Sequence, residues 1–253
     1  MHTLIVHAHP EPRSFNRALT DAAAAALRDD GHGVEIADLY AEGFDPVERA
    51  EHYPQRADPA CFAPLGEQKH ASTDGALPAD VRRQIDRLER TDLLILQFPM
   101  WWHGAPAMLK GWFDRVFVNG GLYTGRMRYD AGYFRGKRAV VSLTTGAPAR
   151  AFGPLARAGD LQAMLYPVQY TLYYMGFDVL APHAVHGVQG HGYSYQDADA
   201  FQRHLRQAAT GWAARVRRLG TETPLTFPGW ADWDEHGQPV AAGGFNGPPR
   251  GAA

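Results

Sequence analysis

The chain has 253 residues, 45% of them hydrophobic, enough to bury one substantial α/β core and leave a tail beside it. A formal net charge of -2 and a pI near 6.6 give no basic footprint for nucleic acid or an anionic membrane. Cys61 is the single cysteine, which excludes an intrachain disulfide and a cysteine-built metal or paired redox site; with no basic lead and no apolar run of about 18 residues, a cytoplasmic protein without membrane insertion is expected.

Thr3, Leu4, Ile5 and Val6 form a short run of strand formers, ended by His7-Ala8-His9-Pro10-Glu11-Pro12, which neither extends a strand nor starts a helix cleanly. Ser14 can cap the helix that follows, from Asn16 through the alanines at 22–26 and Leu27 to the break at Gly31 and Gly33. Residues 34–39 form the next strand. Residues 40–78 carry Pro, Gly and polar residues in irregular order and read as a long excursion without an element. Val81, Ile85 and Leu88 place a helix over 79–90.

The strand over 93–98 stops at Pro99, and Pro106 opens a helix whose Leu109, Trp112, Phe113 and Val116 fall at i, i+3, i+4 and i+7. Lys110 and Asp114 lie four apart on its other face. A strand over 138–143 breaks at Thr144-Thr145-Gly146-Ala147-Pro148, and a helix over about 160–175 follows. The last strand runs over 177–180 and resumes through 185, the last helix spans 197–219, and residues 220–253 form an irregular tail rich in Pro, Gly and Trp. No internal repeat is present.

Strands alternating with helices imply right-handed crossovers, a parallel sheet and helices on both faces. About five such strands fit an α/β doubly wound fold, with one domain over 1–219. Ligands in that fold bind beyond the carboxyl ends of the strands, where strand order reverses. The loops after the first, third and fourth strands are therefore the candidates.

In the first, Ser14, Phe15 and Asn16 offer a hydroxyl, backbone N–H groups and an amide to an anion at a helix N-terminus. Neither G-x-G-x-x-G nor G-x-x-x-x-G-K occurs there, and an ordinary N-cap over a buried Phe15 fits the same residues. In the second, Pro99, Met100, Trp101, Trp102 and His103 set flat apolar faces beside backbone donors, and Gly104 permits close approach. Core or dimer-contact tryptophans remain the alternative. In the third, Thr144, Thr145, Gly146 and Ala147 supply hydroxyls and N–H groups. A phosphate seat, an aromatic wall and a row of polar donors at one sheet edge match the needs of a flavin.

At these residues the chain resembles the flavodoxin-like NAD(P)H:quinone oxidoreductases, also called DT-diaphorases. The resemblance runs from Leu4 to about Leu219: L-I-V-x-A-H at 4–9, S-F-N at 14–16, A-D-L-Y at 37–40, D-P-A-x-F at 58–62, Q-F-P at 97–99, P-A-x-L-K-G-W-F-x-R-V-F at 106–117, Y-D-x-G-x-F at 129–134 and S-x-T-T-G at 142–146. It implies bound FAD, NADH or NADPH as hydride donor, a quinone-like or other electron-poor aromatic acceptor, a ping-pong cycle and a homodimer with active sites at the subunit interface. It further implies that His9, Phe15 and Asn16 hold the FAD phosphates, that 99–103 line the isoalloxazine with Trp102 packed on it, and that 144–147 contact its polar edge. Tyr123 matches one tyrosine of the family's quinone pocket, beside Trp102 and His103.

The sequence departs from the family where a tyrosine and a histidine answer the charge of reduced flavin. Phe152 and Ala158 stand there, and neither donates a hydrogen bond. Gly125 replaces a second pocket tyrosine, Ala147 a glycine, His103 a phenylalanine and Ala63 a glutamine, while an arginine contact falls on Arg203 or Arg206. Arg126, Arg128, Arg150 and Arg157 are candidates to replace the lost pair, against the reading of each as a solvated surface arginine. His183, His186 and His191 form a histidine-rich stretch with no carboxylate to complete a metal triad, so no metal site is expected. Two functions follow: a reductase that needs proximity and stacking rather than a protein nucleophile, or a flavin-binding accessory subunit with vestigial activity. A one-electron flavodoxin-type carrier fits poorly, given the chain's length, its large excursion and its lack of strong acidity.

Overall fold

The computed structural model describes residues 1–190 and 196–240. Strands β1 (His2–His7), β2 (Gly33–Asp38), β3 (Leu93–Pro99), β4 (Arg138–Thr144), β5 (Asp178–Val179) and β6 (His183–Val185) form one parallel sheet. Its order is β2-β1-β3-β4-β5, with β6 also paired to β4. The chain leaves β1 to one side for β2 and to the other for β3, so the topological switch lies between β1 and β3.

Among the described residues there are six helices packed about the sheet: α1 (Phe15–Asp29), α2 (Pro64–Thr73), α3 (Ala79–Arg90), α4 (Ala107–Val116), α5 (Leu161–Tyr174) and α6 (Ala198–Val216). Alternate strand residues feed two cores, as the two-residue period of a strand requires. Ile5, Ile95 and Val140 pack with Leu19 and Leu27 of α1 and Trp212 and Val216 of α6. Leu4, Leu94, Leu96 and Val141 pack on the other side against Ile85 of α3, Trp112 of α4 and Leu172 of α5. The stripes on α3 and α4 are buried as their spacing requires, and β3, the middle strand, is buried along its whole length.

The excursion over 40–78 is not structureless: it contains α2. This helix escapes sequence reading because, apart from Ala71, its buried side chains are polar. Glu67 accepts from the backbone N–H of Ala57 and pairs with Arg56, and Gln68 donates to the Asp114 carbonyl at 2.9 Å while accepting from the Asn119 N–H. Tertiary hydrogen bonds, not an apolar stripe, hold it. The excursion reaches α4 at Gly111, where an added Cβ would lie 2.0 Å from the Pro46 carbonyl oxygen. Arg115, buried, ties the same corner to Asp80 at 2.6 Å and to the Asp45 carbonyl at 2.7 Å.

The last strand is split. β5 pairs with Arg138 and Ala139, β6 with Ser142 to Thr144, and Pro182, which lacks an N–H, lies in the gap. The described part of the tail packs. Leu225 donates to the Val179 carbonyl at 2.7 Å, Phe227 stacks on Tyr173 at 4.5 Å, and Trp230 and Trp233 meet Tyr129 edge-on. Among the described residues no helix is long and apolar enough to cross a membrane.

Candidate active site

A polar brace joins the three strand ends at the switch. Gln97 of β3 donates through Nε2 to Asn16 Oδ1 at 2.9 Å, and Asn16 donates through Nδ2 to Thr144 Oγ1 of β4, also at 2.9 Å. All three side chains are buried. Asn16 thus spends both ends of its amide on holding α1 against β3 and β4, leaving one amide hydrogen and its backbone N–H for a ligand. Beneath it, His7 is fully buried with Nδ1 2.9 Å from Thr20 Oγ1, and burial lowers its pKa to about 4 against the opposing pull of Asp38.

Ser14 caps α1: its Oγ accepts from the Arg17 N–H at 3.2 Å, with Ser14 itself extended. Phe15 is half-buried against the α1–α6 core. The Glu11 N–H donates to His9 Nδ1 at 3.0 Å. That bond places the proton of neutral His9 on Nε2, and burial, the main influence, lowers the His9 pKa and favours the neutral ring. His9 therefore offers an N–H donor beside the N-terminus of α1. Its ring centroid lies 5.9 Å from that of Trp101.

The loop after β3 is a two-residue hairpin. Trp101 and Gly104 exchange backbone hydrogen bonds of 3.0 and 3.1 Å, and the two residues between them have positive φ, 50° at Trp102 and 63° at His103. Asn-Gly is the sequence such a turn favours, because a Cβ in the left-handed region is crowded. Trp and His there store strain, and the strain presents an indole that is 96% exposed. No described acceptor takes the backbone N–H of Trp102 or His103. Gly104 has open space where a Cβ would stand, so the chain's own packing does not demand glycine there. Pro99 is buried at the end of β3, and Met100 donates its N–H to the Thr144 carbonyl at 2.8 Å, which joins this turn to the third loop.

In that third loop Thr145 is buried and Gly146 exposed. Thr145 donates its N–H to the Val185 carbonyl and its hydroxyl to the Ala147 carbonyl, each at 2.9 Å. His186 Nδ1 lies 2.9 Å from the same hydroxyl oxygen, and the His186 ring lies 5.0 Å from Phe152. Phe152 and Ala158 both sit in the continuation of this loop, where the Ala158 N–H bonds the Ala151 carbonyl.

Tyr123 is elsewhere. It meets Tyr174 edge-on at 5.7 Å and lines a cleft of about 270 Å³ with Leu65, Phe113, Phe117 and Met175, which none of Trp101, Trp102 and His103 lines. Burial raises its pKa. One chain therefore gathers His9, Ser14–Asn16, Pro99–His103, Thr144–Ala147 and Phe152 at one sheet edge, and leaves Tyr123 on the α4–α5 side. Of the arginines considered, Arg128 sits over the rings of Tyr129, Tyr174 and Trp230, while Arg126, Arg150 and Arg157 are exposed. The histidine stretch is divided: His183 stacks on Trp212 at 4.4 Å, His186 holds Thr145, and His191 lies outside the described residues. Gln97 and His186 gave no sequence signal of these roles, because their partners are distant in the chain.

The flavodoxin-like fold family matches residues 1–211. The chain is 38% identical over 226 residues to NAD(P)H dehydrogenase [quinone] 1 of Cavia porcellus, covering 88% of this chain and 79% of that protein. It is 35% identical over 230 residues to ribosyldihydronicotinamide dehydrogenase [quinone] of Mus musculus, covering 90% and 96%. A putative quinone reductase from Klebsiella pneumoniae superposes with a TM-score of 0.86 at 31% identity, covering 98% of this chain and 97% of that one. The chain belongs to the NAD(P)H:quinone dehydrogenase family.

The donor set at the switch point fits the flavin this family implies. His9 Nε2–H and the first N–H groups of α1 suit an anionic phosphate, the exposed indole suits a planar ring, and the backbone N–H groups of Trp102 and His103 suit carbonyl or ring-nitrogen acceptors. In this member of the NAD(P)H:quinone dehydrogenase family the donors come from the loops after β1 and β3, while Phe152 and Ala158 sit in the continuation of the loop after β4.

Proposed function

We propose that this protein is a FAD-dependent oxidoreductase that passes hydride from NADH or NADPH to a quinone or similar electron-poor aromatic, the two substrates using one position in turn. The observation that carries the reading is the strained turn at Trp102 and His103. Strain of this kind persists where a ligand uses it, and here it holds the bare Trp102 indole at the carboxyl end of β3, next to the topological switch, while the neighbouring Trp101 packs beside His9. The bound flavin supplies the two-electron chemistry. His9, Ser14, Phe15 and Asn16 orient its phosphate end, Asn16 chiefly through its backbone. Residues 99–103 face the ring, and 144–147 with Phe152 bound its polar edge.

Trp102 and His103 shape the acceptor side. Tyr123 reaches that space only from a second copy of the chain, so the reading includes a homodimer, with cytoplasmic residence. Stacking and proximity carry hydride transfer, so the side chains at 152 and 158 need not take part. Purified protein should hold FAD, and anaerobic rapid mixing with NADH or NADPH should bleach the flavin directly to its two-electron reduced form. Protein that binds no FAD, or holds FAD that neither donor reduces, overturns the proposal. A second reading, a flavin-binding accessory subunit, is favoured by the lack of side-chain donors at Phe152 and Ala158. Negligible turnover alone together with isolation only in a stoichiometric complex would select it.

A further inference from the structure

The contact between β6 and the loop after β4 extends past the strands. Thr145 N–H bonds the Val185 carbonyl at 2.9 Å, Val188 N–H the Thr145 carbonyl at 2.9 Å, and Gly187 N–H the Ala147 carbonyl at 3.0 Å. From α6, His204 Nε2 donates to the His186 carbonyl at 2.8 Å. The backbone at 186 is thus pinned from two elements, and the imidazole is carried to a fixed place.

Donor accounting fixes its tautomer. Thr145 has one hydroxyl hydrogen, and the Ala147 carbonyl, 2.9 Å away, can only accept. The bond between Thr145 Oγ1 and His186 Nδ1 must therefore be donated by the imidazole, so Nδ1 carries the hydrogen and Nε2 of the neutral ring an open lone pair. Burial lowers the His186 pKa and favours that neutral ring. The chain Nδ1–H to Thr145 to Ala147 closes residues 145–147 on themselves, and Phe152 packs against the imidazole at 5.0 Å.

We propose that His186 is a positioning residue for the flavin's polar edge. Through Thr145 it sets the shape in which Thr145, Gly146 and Ala147 meet the ring. The inference rests on the flavin reading above, and asks which of this chain's own side chains makes the third loop competent.

The test compares wild type with His186→Phe, which keeps an aromatic against Phe152 but loses the donor, and His186→Asn, whose amide hydrogen replaces Nδ1–H. Apoprotein is titrated with FAD, following flavin fluorescence, and the midpoint potential of the bound flavin is measured. His186→Phe should weaken FAD binding about 3- to 10-fold, the worth of one hydrogen bond, and shift the potential. His186→Asn should restore both to within about twofold. Phe and Asn variants equal to each other, whether both impaired or both like wild type, overturn the proposal while leaving the flavin reading intact. Wild-type apoprotein that takes up no FAD overturns that reading and this inference with it. If circular dichroism shows that His186→Phe misfolds, Thr145→Val, which removes the partner of His186 Nδ1, replaces it, with the same loss expected relative to His186→Asn and equality of the two again overturning the proposal.

Discussion

His183 should make the fold acid-sensitive above the carboxylate range. Its imidazole stacks on Trp212 at 4.4 Å, and its Nε2 is buried without a hydrogen-bond partner among the described residues. Burial, helped by Arg215 and opposed by Glu222, lowers its pKa to about 4, against 6.5 in the unfolded chain. The unfolded chain then binds the proton more readily, so stability falls as pH drops below 6.5 and stops falling below about 4. Linkage gives a loss of about 2 kcal/mol from this residue alone at pH 5, rising to about 3 at the limit. His7 adds a loss of the same sign. Urea unfolding at pH 7.5 and pH 5.0, for wild type and His183→Gln, isolates the effect, because every other titrating group is common to both. The drop in stability between the two pH values should be about 2 kcal/mol smaller in the variant. Equal drops, within about 0.5 kcal/mol, would contradict a lowered His183 pKa whatever the variant costs at neutral pH.

Three further outcomes follow from the geometry. Replacing the turn by Trp102→Asn with His103→Gly relieves two left-handed residues, so apoprotein should gain about 1–3 kcal/mol while FAD reduction by NAD(P)H collapses; a less stable apoprotein in thermal melts contradicts the strain argument. Asn16→Ala removes the partner of both Gln97 and Thr144, two buried polar groups, and should cost about 2–6 kcal/mol in denaturant unfolding; a cost under about 1 kcal/mol would mean the brace is replaceable. Gly111→Ala forces a Cβ onto the Pro46 carbonyl and should destabilise by at least about 1–3 kcal/mol; a neutral result in the same assay would place the excursion elsewhere than on α4.

The local elements and their alternation are encoded by residues close together in the chain. The apolar runs at 93–98 and 138–143 and the stripes on α3 and α4 are repeats within one strand or helix, and neighbours in sequence suffice to encode them. The strain at Trp102 was legible only as an oddity, two aromatics on a loop, since φ is decided by the turn that Trp101 and Gly104 close. The helix over 64–73 was hidden because its anchors, Glu67 and Gln68, are polar and bond residues 10 and 46 positions away. Tertiary structure alone decided the brace, whose members stand 81 and 128 residues apart. It likewise decided the tautomer of His186, 41 residues from Thr145. Strand order brings such groups together, and a hydrogen bond, unlike a hydrophobic stripe, leaves no period in the chain that makes it.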